Sequence, residues 1–394
     1  MIKLKYFIIG LLCVVTADLS SKTALKLIDS SIAEGSVVFY NLTKNITLTF
    51  DQDIAIGKVP ILLNGDKLPM DDAVINKKSV TVPLKLKSVK DKGVVYNLQI
   101  PANAFVSACN SEIGNDSHTL KFRTFKKADV PDDYSELIDV VYSDVSPASC
   151  RLDFYAPKDA KKPTPIVFII HGGGWQKGYK EAQVDFSAYT DLRIAIANVN
   201  YRLADEAKAP AALEDVRCAI YYMIKNAKKY NIDPERIILY GGSAGAHLAL
   251  TAGYLQNNRR YDINCSDYEG EIKIVAVLDK SGPTDLWGVR NHNTVVNWVG
   301  SRNNDEEFLK SISPIYMVNK NTPATYLIHG NKDKTVPIDM SAELLVPKLK
   351  EFNIPYQYTI LDGEGHSGFS VQSKERMSRE IKAFLIKLLP ELGK

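Results

Sequence analysis

The chain has 394 residues, with 45% hydrophobic and 24% charged residues, which is the composition of a globular protein. The 49 Lys and Arg residues nearly balance the 46 Asp and Glu residues, and the formal net charge is +3. This composition excludes disordered and collagen-like chains, and the balanced charge argues against nucleic acid as a partner. At roughly 150 residues per domain, the length indicates two or three domains.

The first residues have the pattern of a signal peptide. Two lysines precede an apolar run over residues 6–17, which is too short to span a bilayer but long enough for a signal-peptide core. We expect residues 1–17 to be removed by cleavage after Ala17, and the protein to be secreted or periplasmic. Leu12 precedes Cys13 where a lipoprotein site needs a small residue, which argues against a lipid anchor. No other segment is apolar enough to predict a membrane span.

Residues 35–125 are predicted to form a small all-β domain. Apolar and polar residues alternate in short runs that are separated by turn signals such as Asn64-Gly65-Asp66. The segments NITLTFDQDI, VYNLQIPANAF and HTLKFRTF resemble the bacterial Ig-like domains of secreted enzymes, which implies a β-sandwich. The region contains no Trp, so a spacer or packing role is favoured over carbohydrate binding. The charged residues 126–136 are predicted to be a linker.

Residues 137–394 are predicted to form an α/β domain. Strongly apolar runs, typical of buried parallel strands, alternate with helical patterns, which indicates a mostly parallel sheet flanked by helices. The predicted strands are 165–170, 194–199, 236–240, 272–278, 325–329 and 356–361, and the predicted helices are 211–230, 244–256, 339–352 and 373–388.

The motif G-x-S-x-G occurs at residues 241–245, directly after a predicted strand and directly before a predicted helix. At such a turn a serine is held in a strained conformation that exposes its hydroxyl, and the helix N-terminus favours negative charge beside it. The sequence therefore predicts Ser243 as a nucleophile. The motif alone is a weak signal, and its strand–turn–helix context carries the prediction.

A second glycine-rich segment, His171-Gly172-Gly173-Gly174-Trp175, follows another predicted strand. Consecutive glycines let backbone N–H groups point into a cavity, as an oxyanion hole requires. We expect Gly173, Gly174 and Ala244 to supply these donors. A phosphate-binding loop is excluded, because the segment has neither the P-loop nor the dinucleotide-binding spacing.

Asp333 and His366 each follow one of the last two predicted strands. The order Ser243, Asp333, His366 is that of α/β-hydrolases, with His366 as the base and Asp333 as its orienting acid. Asp279 and Asp285 are weaker candidates for the acid. No metal-ligand spacing is present, so neither a metal nor a cofactor is expected.

The domain resembles α/β-hydrolase esterases with an HGGG loop, and more closely the secreted bacterial acetyl xylan and feruloyl esterases. The segments YRLADEAKAPAALEDVRCAIYYM, IDPERIILYGGSAGAHLAL, SGPTDL and HGNKDKTVP carry the closer resemblance. It implies an exported serine carboxylesterase acting on short acyl or feruloyl esters, with a polysaccharide or a small ester as substrate. The alternatives are an exopeptidase, an amidase or arylformamidase-like hydrolase, and a non-catalytic binding protein on the same scaffold.

Aromatic residues near these motifs are candidates for substrate contact. Trp175 follows the glycine loop and is predicted to contact the substrate. Trp287 and Trp298 lie in the segment 284–312, which is expected to cover part of the site. A disulfide such as Cys218–Cys265 is compatible with export, but the spacing does not assign it, and the oligomeric state is equally unassigned.

Overall fold

The computed structural model describes residues 24–34, 36–39, 43–86, 93–265 and 270–393. The predicted signal peptide, residues 1–17, and Cys13 lie outside the described residues. The chain divides into two compact units, Met1–Lys127 and Ala128–Lys394.

The N-terminal unit is built from short strands. They form sheets with the orders β1-β3-β8-β7 and β2-β11-β9-β5-β6, and β4 pairs separately with β10. The strands are β1 Leu27–Ser30, β2 Val37–Phe39, β3 Asn45–Phe50, β4 Ile54–Ile56, β5 Leu62–Leu63, β6 Asp66–Lys67, β7 Val74–Asn76, β8 Ser79–Pro83, β9 Val94–Ile100, β10 Phe105–Ser107 and β11 His118–Phe125.

Alternation of apolar residues in this unit produces its core. Ile46, Leu48 and Phe50 of β3 are fully buried and alternate with residues that are more exposed. Leu48 belongs to the same hydrophobic cluster as Leu98 of β9, so both larger sheets contribute to one core. The unit is thus all-β, and its assignment as Ig-like stays a prediction.

The C-terminal unit contains an eight-stranded mixed sheet with the order β12-β13-β15-β14-β16-β17-β18-β19. The pairs β12–β13 and β13–β15 are antiparallel, and the remaining neighbours are parallel. The strands are β12 Tyr134–Val141, β13 Arg151–Pro157, β14 Thr164–Ile170, β15 Ala195–Val199, β16 Ile232–Gly242, β17 Ile274–Lys280, β18 Ala324–Gly330 and β19 Tyr356–Leu361.

Helices cover both faces of this sheet. They are α1 Ser187–Thr190, α2 Ala211–Lys225, α3 Ala227–Tyr230, α4 Ala244–Leu255, α5 Asn293–Val299, α6 Glu306–Ser311, α7 Ala342–Glu351 and α8 Val371–Leu388. Phe168 of β14 packs in a cluster with residues of α2, α4 and α7, whereas Val167 and Ile169 pack in a second cluster with residues of α1 and α8. A strand that is buried on both faces consists of consecutive apolar residues, which is why β14 could be predicted from the sequence.

Among the element boundaries that differ from the sequence prediction, two have an identifiable hydrogen bond as their cause. Strand β12 begins at Tyr134, inside the predicted linker 126–136, because the buried Tyr134 hydroxyl donates to Ile194 O at 3.2 Å and ties this segment to the main sheet. The helix predicted over 211–230 is divided at Asn226, whose side-chain amide donates to Tyr222 O at 2.8 Å and whose backbone leaves the helical conformation.

The structure contains a disulfide between Cys218 of α2 and Cys265, which are 47 positions apart in sequence. Cys218 is buried, so the bond fastens the segment before β17 to the helix layer.

Candidate active site

The turn between β16 and α4 carries Ser243. Its φ of 57° and ψ of −124° are strained for a residue with a side chain, and its N–H donates to Lys280 O at 2.8 Å. A Cβ on Gly241 would lie 2.2 Å from the carbonyl group of Gly245, and a Cβ on Gly245 would lie 2.1 Å from Ile170 O. The close approach of β14, β16 and α4 at this turn therefore requires glycine at both positions.

The structure brings Ser243, His366 and Asp333 into one hydrogen-bonded line. His366 Nε2 lies 2.8 Å from Ser243 Oγ, and His366 Nδ1 lies 2.6 Å from Asp333 Oδ2. Because an ionised carboxylate only accepts hydrogen bonds, Nδ1 carries the proton, and Nε2 is the acceptor for the serine O–H. The arrangement can therefore take a proton from Ser243 onto a histidine that a carboxylate holds in place.

The carboxylate of Asp333 is buried and fully hydrogen-bonded. Its Oδ1 accepts from Thr335 N at 2.8 Å and from Val336 N at 2.9 Å. Burial alone would raise the pKa of Asp333, but hydrogen bonds from His329, His366 and Val336 hold it well below its usual range. The acid is therefore ionised across the pH range in which a histidine can act as a base.

Hydrogen bonds join the loop after β18, which carries the acid, to the loop after β19, which carries the histidine. Lys332 N donates to Glu364 O at 2.8 Å, Asn331 Nδ2 donates to Asp362 Oδ1 at 2.7 Å, and Gly363 N donates to Asn331 Oδ1 at 2.9 Å. These bonds fix the position of the acid relative to the base.

The glycine loop after β14 uses conformations that favour glycine. Gly173 has φ 121° and Gly174 has φ 63°. A Cβ on Gly173 would lie 1.8 Å from Lys177 O, and a Cβ on Gly174 would lie 2.8 Å from Thr294 Cγ2. Ala244 is the first residue of α4, where a backbone N–H has no partner within the helix.

The same loop packs directly against the nucleophile turn. A Cβ on Gly172 would lie 3.3 Å from Ser243 Cβ. His171, the first residue of the loop, is held in place by Tyr201. Its carbonyl accepts from the Tyr201 hydroxyl at 2.9 Å, and its ring stacks on that of Tyr201 at 4.2 Å between the centroids. Burial lowers the pKa of His171 to about 4, so this ring is neutral near pH 7.

Trp175 does not reach the surface of the site, which corrects the prediction that it contacts the substrate. The side chain is buried, with 2% of the residue exposed, and its ring stacks on Trp298 at a centroid distance of 4.5 Å. His247 meets the Trp175 ring edge-on at 5.2 Å. The indole ring points into the domain, because the large hydrophobic cluster that also contains Trp298 accommodates it.

Thr294 is a neighbour of the glycine loop that the sequence did not single out. It lies at the start of α5, in the segment 284–312 that was predicted to cover part of the site, and its carbonyl accepts from Gln176 Nε2 at 3.3 Å. Nothing in the local sequence marks this contact, because it joins residues 118 positions apart.

The alternative acids lie elsewhere. Asp279 Oδ1 accepts from Gly282 N at 2.8 Å, and Asp285 Oδ1 accepts from Trp287 N at 3.0 Å. Within the described part of the chain, neither carboxylate is hydrogen-bonded to His366. Burial raises the pKa of Asp279 to about 7, which keeps much of it protonated at neutral pH.

A second histidine adjoins the acid. His329 Nε2 lies 3.3 Å from Asp333 Oδ2 and 2.8 Å from Val336 O. Burial alone would lower the pKa of His329, but its hydrogen bonds and the charge of Asp279 raise it. No role for His329 was predicted from the sequence, although the four-residue spacing between His329 and Asp333 is a visible signal.

In the described ranges, no group of three His, Cys, Asp or Glu side chains is placed to hold a metal ion. None of the helices in these ranges combines the length and the apolar character needed to cross a membrane.

Known proteins share this sequence pattern. The family model described as BD-FAE matches residues 152–348, which is half of the chain. Esterase LipC of Mycobacterium tuberculosis is 29% identical over 246 residues, which cover 59% of this chain and 59% of LipC. The chain thus spans about three fifths of the length of that curated relative.

Two solved structures are similar in both sequence and fold. A truncated form of a carbohydrate esterase from gut microbiota is 27% identical with a TM-score of 0.59, and the match covers 68% of this chain and 100% of that one. The acetyl ester-xyloside bifunctional hydrolase of Caldicellulosiruptor lactoaceticus is 25% identical with a TM-score of 0.52, over 62% of this chain and 88% of that one.

Proposed function

Because the chain belongs to the BD-FAE family and is a carboxylic ester hydrolase of the α/β-hydrolase fold, we propose that it is an exported serine esterase that hydrolyses short acyl or feruloyl esters of plant polysaccharide. The observation that carries the catalytic part is the line of hydrogen bonds from Ser243 through His366 to Asp333. The substrate class is supported by the two carbohydrate-active esterases among the similar structures.

The proposed reaction begins with attack of Ser243 Oγ on the ester carbonyl carbon. His366 Nε2 takes the serine proton, and the ionised Asp333 stabilises the imidazolium that forms. Collapse of the tetrahedral intermediate expels the sugar alcohol, to which His366 returns the proton. Water, deprotonated by the same histidine, then hydrolyses the acyl-enzyme and releases the carboxylic acid.

The negative charge on the tetrahedral intermediate needs donors that are already in place. In this proposal the backbone N–H groups of Gly173, Gly174 and Ala244 hold the oxyanion, and the N-terminus of α4 adds a favourable dipole. The positive φ of both glycines and the contact of the loop with the Ser243 turn support this assignment.

Export is the second part of the proposal. Residues 1–17 have the sequence pattern of a signal peptide, and the Cys218–Cys265 disulfide is of the kind that persists in oxidising compartments. The all-β unit before the catalytic unit is proposed to be an Ig-like spacer.

Acetate release from acetylated xylan tests the function directly. Purified protein should release acetate, and S243A should lose on the order of 10³-fold or more in kcat. S187A is the control and should keep activity, because Ser187 is an exposed residue at the start of α1. Feruloylated arabinoxylan is assayed alongside. Release of neither acid, together with cleavage of an aryl formamide or a dipeptide amide, would replace the esterase proposal with an amidase or peptidase.

A further inference from the structure

His329 is a second histidine in contact with Asp333, the acid of the proposed triad. It is the penultimate residue of β18, and it is fully buried. Its Nε2 lies 3.3 Å from Asp333 Oδ2, the same oxygen that lies 2.6 Å from His366 Nδ1. One carboxylate oxygen, Asp333 Oδ2, therefore lies within hydrogen-bonding distance of both histidines.

The neighbours of His329 fix the position of its proton. Val336 O lies 2.8 Å from Nε2, and both this carbonyl and the Asp333 carboxylate can only accept hydrogen bonds. Nε2 must therefore carry a hydrogen, which it shares between the two acceptors. Because Val336 N also donates to Asp333 Oδ1 at 2.9 Å, His329 and Val336 together clamp the turn that holds the acid.

Other ionisable groups face His329 from the neighbouring strands. The charge of Asp279 of β17 acts on His329 and favours its protonated form. The same charge also acts on the hydroxyl of Tyr358 of β19. Asp279 is paired with Leu327 across the sheet, and Leu327 is paired with Tyr358. Since cross-strand partners share a face and His329 is two residues beyond Leu327, all of these side chains lie on one face.

We infer that His329 is a positioning residue for the proposed triad, and that its Nε2–H fixes the Asp333 carboxylate in the orientation that holds His366. This inference rests on the proposed function. Without that donor, rotation of the carboxylate about the Cβ–Cγ bond is opposed only by the two backbone N–H bonds at Oδ1 and by His366 itself, so the carboxylate is held less firmly. The imidazole of His366 then loses its fixed tautomer and direction, as well as its alignment with Ser243.

A second consequence concerns charge. In the native protein the negative charge on Asp333 Oδ2 is shared by two N–H donors. When one donor is removed, the full charge acts on His366 and favours its protonated form. The acidic limb of the activity profile therefore moves to higher pH. A residue that acted only through packing would not move this limb.

The variants H329L and H329Q separate the hydrogen bond from the shape of the side chain. Leucine fills the site without a donor, whereas the glutamine amide can place an N–H near the position of Nε2. We expect H329L to lose about 10- to 100-fold in kcat, with its acidic limb moved to higher pH. H329Q should restore most of kcat and the native position of that limb.

The measurements are kcat and KM on p-nitrophenyl acetate from pH 5 to 9, with melting temperatures to establish that each variant is folded. A folded H329L with native kcat and a native pH profile would overturn the inference, and so would an H329Q as impaired as H329L. If H329L does not fold, the test uses H329Q alone. A folded H329Q with a lower kcat and an acidic limb at higher pH would contradict the donor role of His329. S243A is assayed alongside. An active S243A would contradict the proposed triad itself. An inactive S243A together with an unaffected H329L would contradict only the role of His329.

Discussion

The indole rings of Trp175 and Trp298 stack face to face, with 4.5 Å between their centroids and 8° between their planes. Trp175 ends the glycine loop and Trp298 lies in α5, so the contact joins the proposed oxyanion loop to the segment that follows β17. His247 of α4 meets both rings edge-on. Three elements around Ser243 thus share one buried aromatic cluster, which makes the stability of the fold and the geometry of the site interdependent.

Truncation of Trp298 should therefore affect both properties. W298A removes the stacking partner of Trp175, and we expect a loss of about 3–5 kcal/mol in the free energy of unfolding, together with a lower kcat. W298F should cost less, because it keeps a ring and because Trp298 Nε1 has no hydrogen-bond partner in the part of the chain that is described. Urea denaturation and ester hydrolysis measure the two effects. Equal behaviour of W298A and W298F would contradict the role of stacking.

Two neighbouring glycines in the nucleophile motif should tolerate alanine very differently. A Cβ on Gly241 would meet the backbone of Gly245 at 2.2 Å, which cannot move without distorting the turn that holds Ser243. A Cβ on Gly242 would meet Lys280 Cε at 2.9 Å, which belongs to a flexible side chain that can swing away. We expect G241A to lose about 100-fold or more in kcat, and G242A to stay within a few-fold of the wild type. Similar losses in both variants would show that the backbone contact is not what limits this position.

Reduction of the Cys218–Cys265 disulfide should change stability without changing catalysis. In the chain-entropy treatment, opening a loop of 47 positions lowers the free energy of unfolding by about 4 kcal/mol. Neither cysteine contacts Ser243, Asp333 or His366 through any bond described above, so kcat at 25 °C should be unchanged. Thermal unfolding of the wild type with and without reductant measures the change, with C218A/C265A as the matched variant. An unchanged melting temperature would mean that the bond does not stabilise the fold.

Much of the hydrolase unit could be predicted because its strands are buried on both faces. Such strands read as continuous apolar runs, so the order of strands and helices was visible, and strand β19 was predicted with its observed bounds. Ser243, Asp333 and His366 could be predicted because each lies just after a strand, and a parallel sheet gathers such positions at one edge. The structure places these three residues within hydrogen-bonding distance, and their catalytic roles remain part of the proposal.

The features that could not be predicted depend on contacts between distant parts of the chain. Trp175 follows a loop of the site in sequence, but its ring lies beneath that loop because Trp298 provides a stacking surface 123 positions later. Sequence position alone does not distinguish an outward ring from an inward one. The division of the predicted helix at Asn226 likewise depends on a hydrogen bond of one amide side chain.

A buried histidine should make the stability of the protein depend on pH. Burial lowers the pKa of His247 from 6.5 to about 4. As the pH falls from 6.5 towards 4, the unfolded chain gains a proton that the native ring does not, so the free energy of unfolding declines by up to about 3 kcal/mol. H247Q can keep a donor to Ile312 O, which His247 Nε2 contacts at 2.7 Å, but it cannot titrate.

The measurement is the difference between the wild type and H247Q in the free energy of unfolding from pH 7 to pH 4. This difference isolates His247, because Asp279 acts in the opposite sense in both proteins: its pKa is raised to about 7, so protonation stabilises the native state as the pH falls. We expect the wild type to lose stability relative to H247Q below pH 6.5, whereas H118Q, which changes an exposed histidine of β11, should follow the wild type. Parallel curves for the wild type and H247Q would show that His247 takes up its proton equally well in the folded protein.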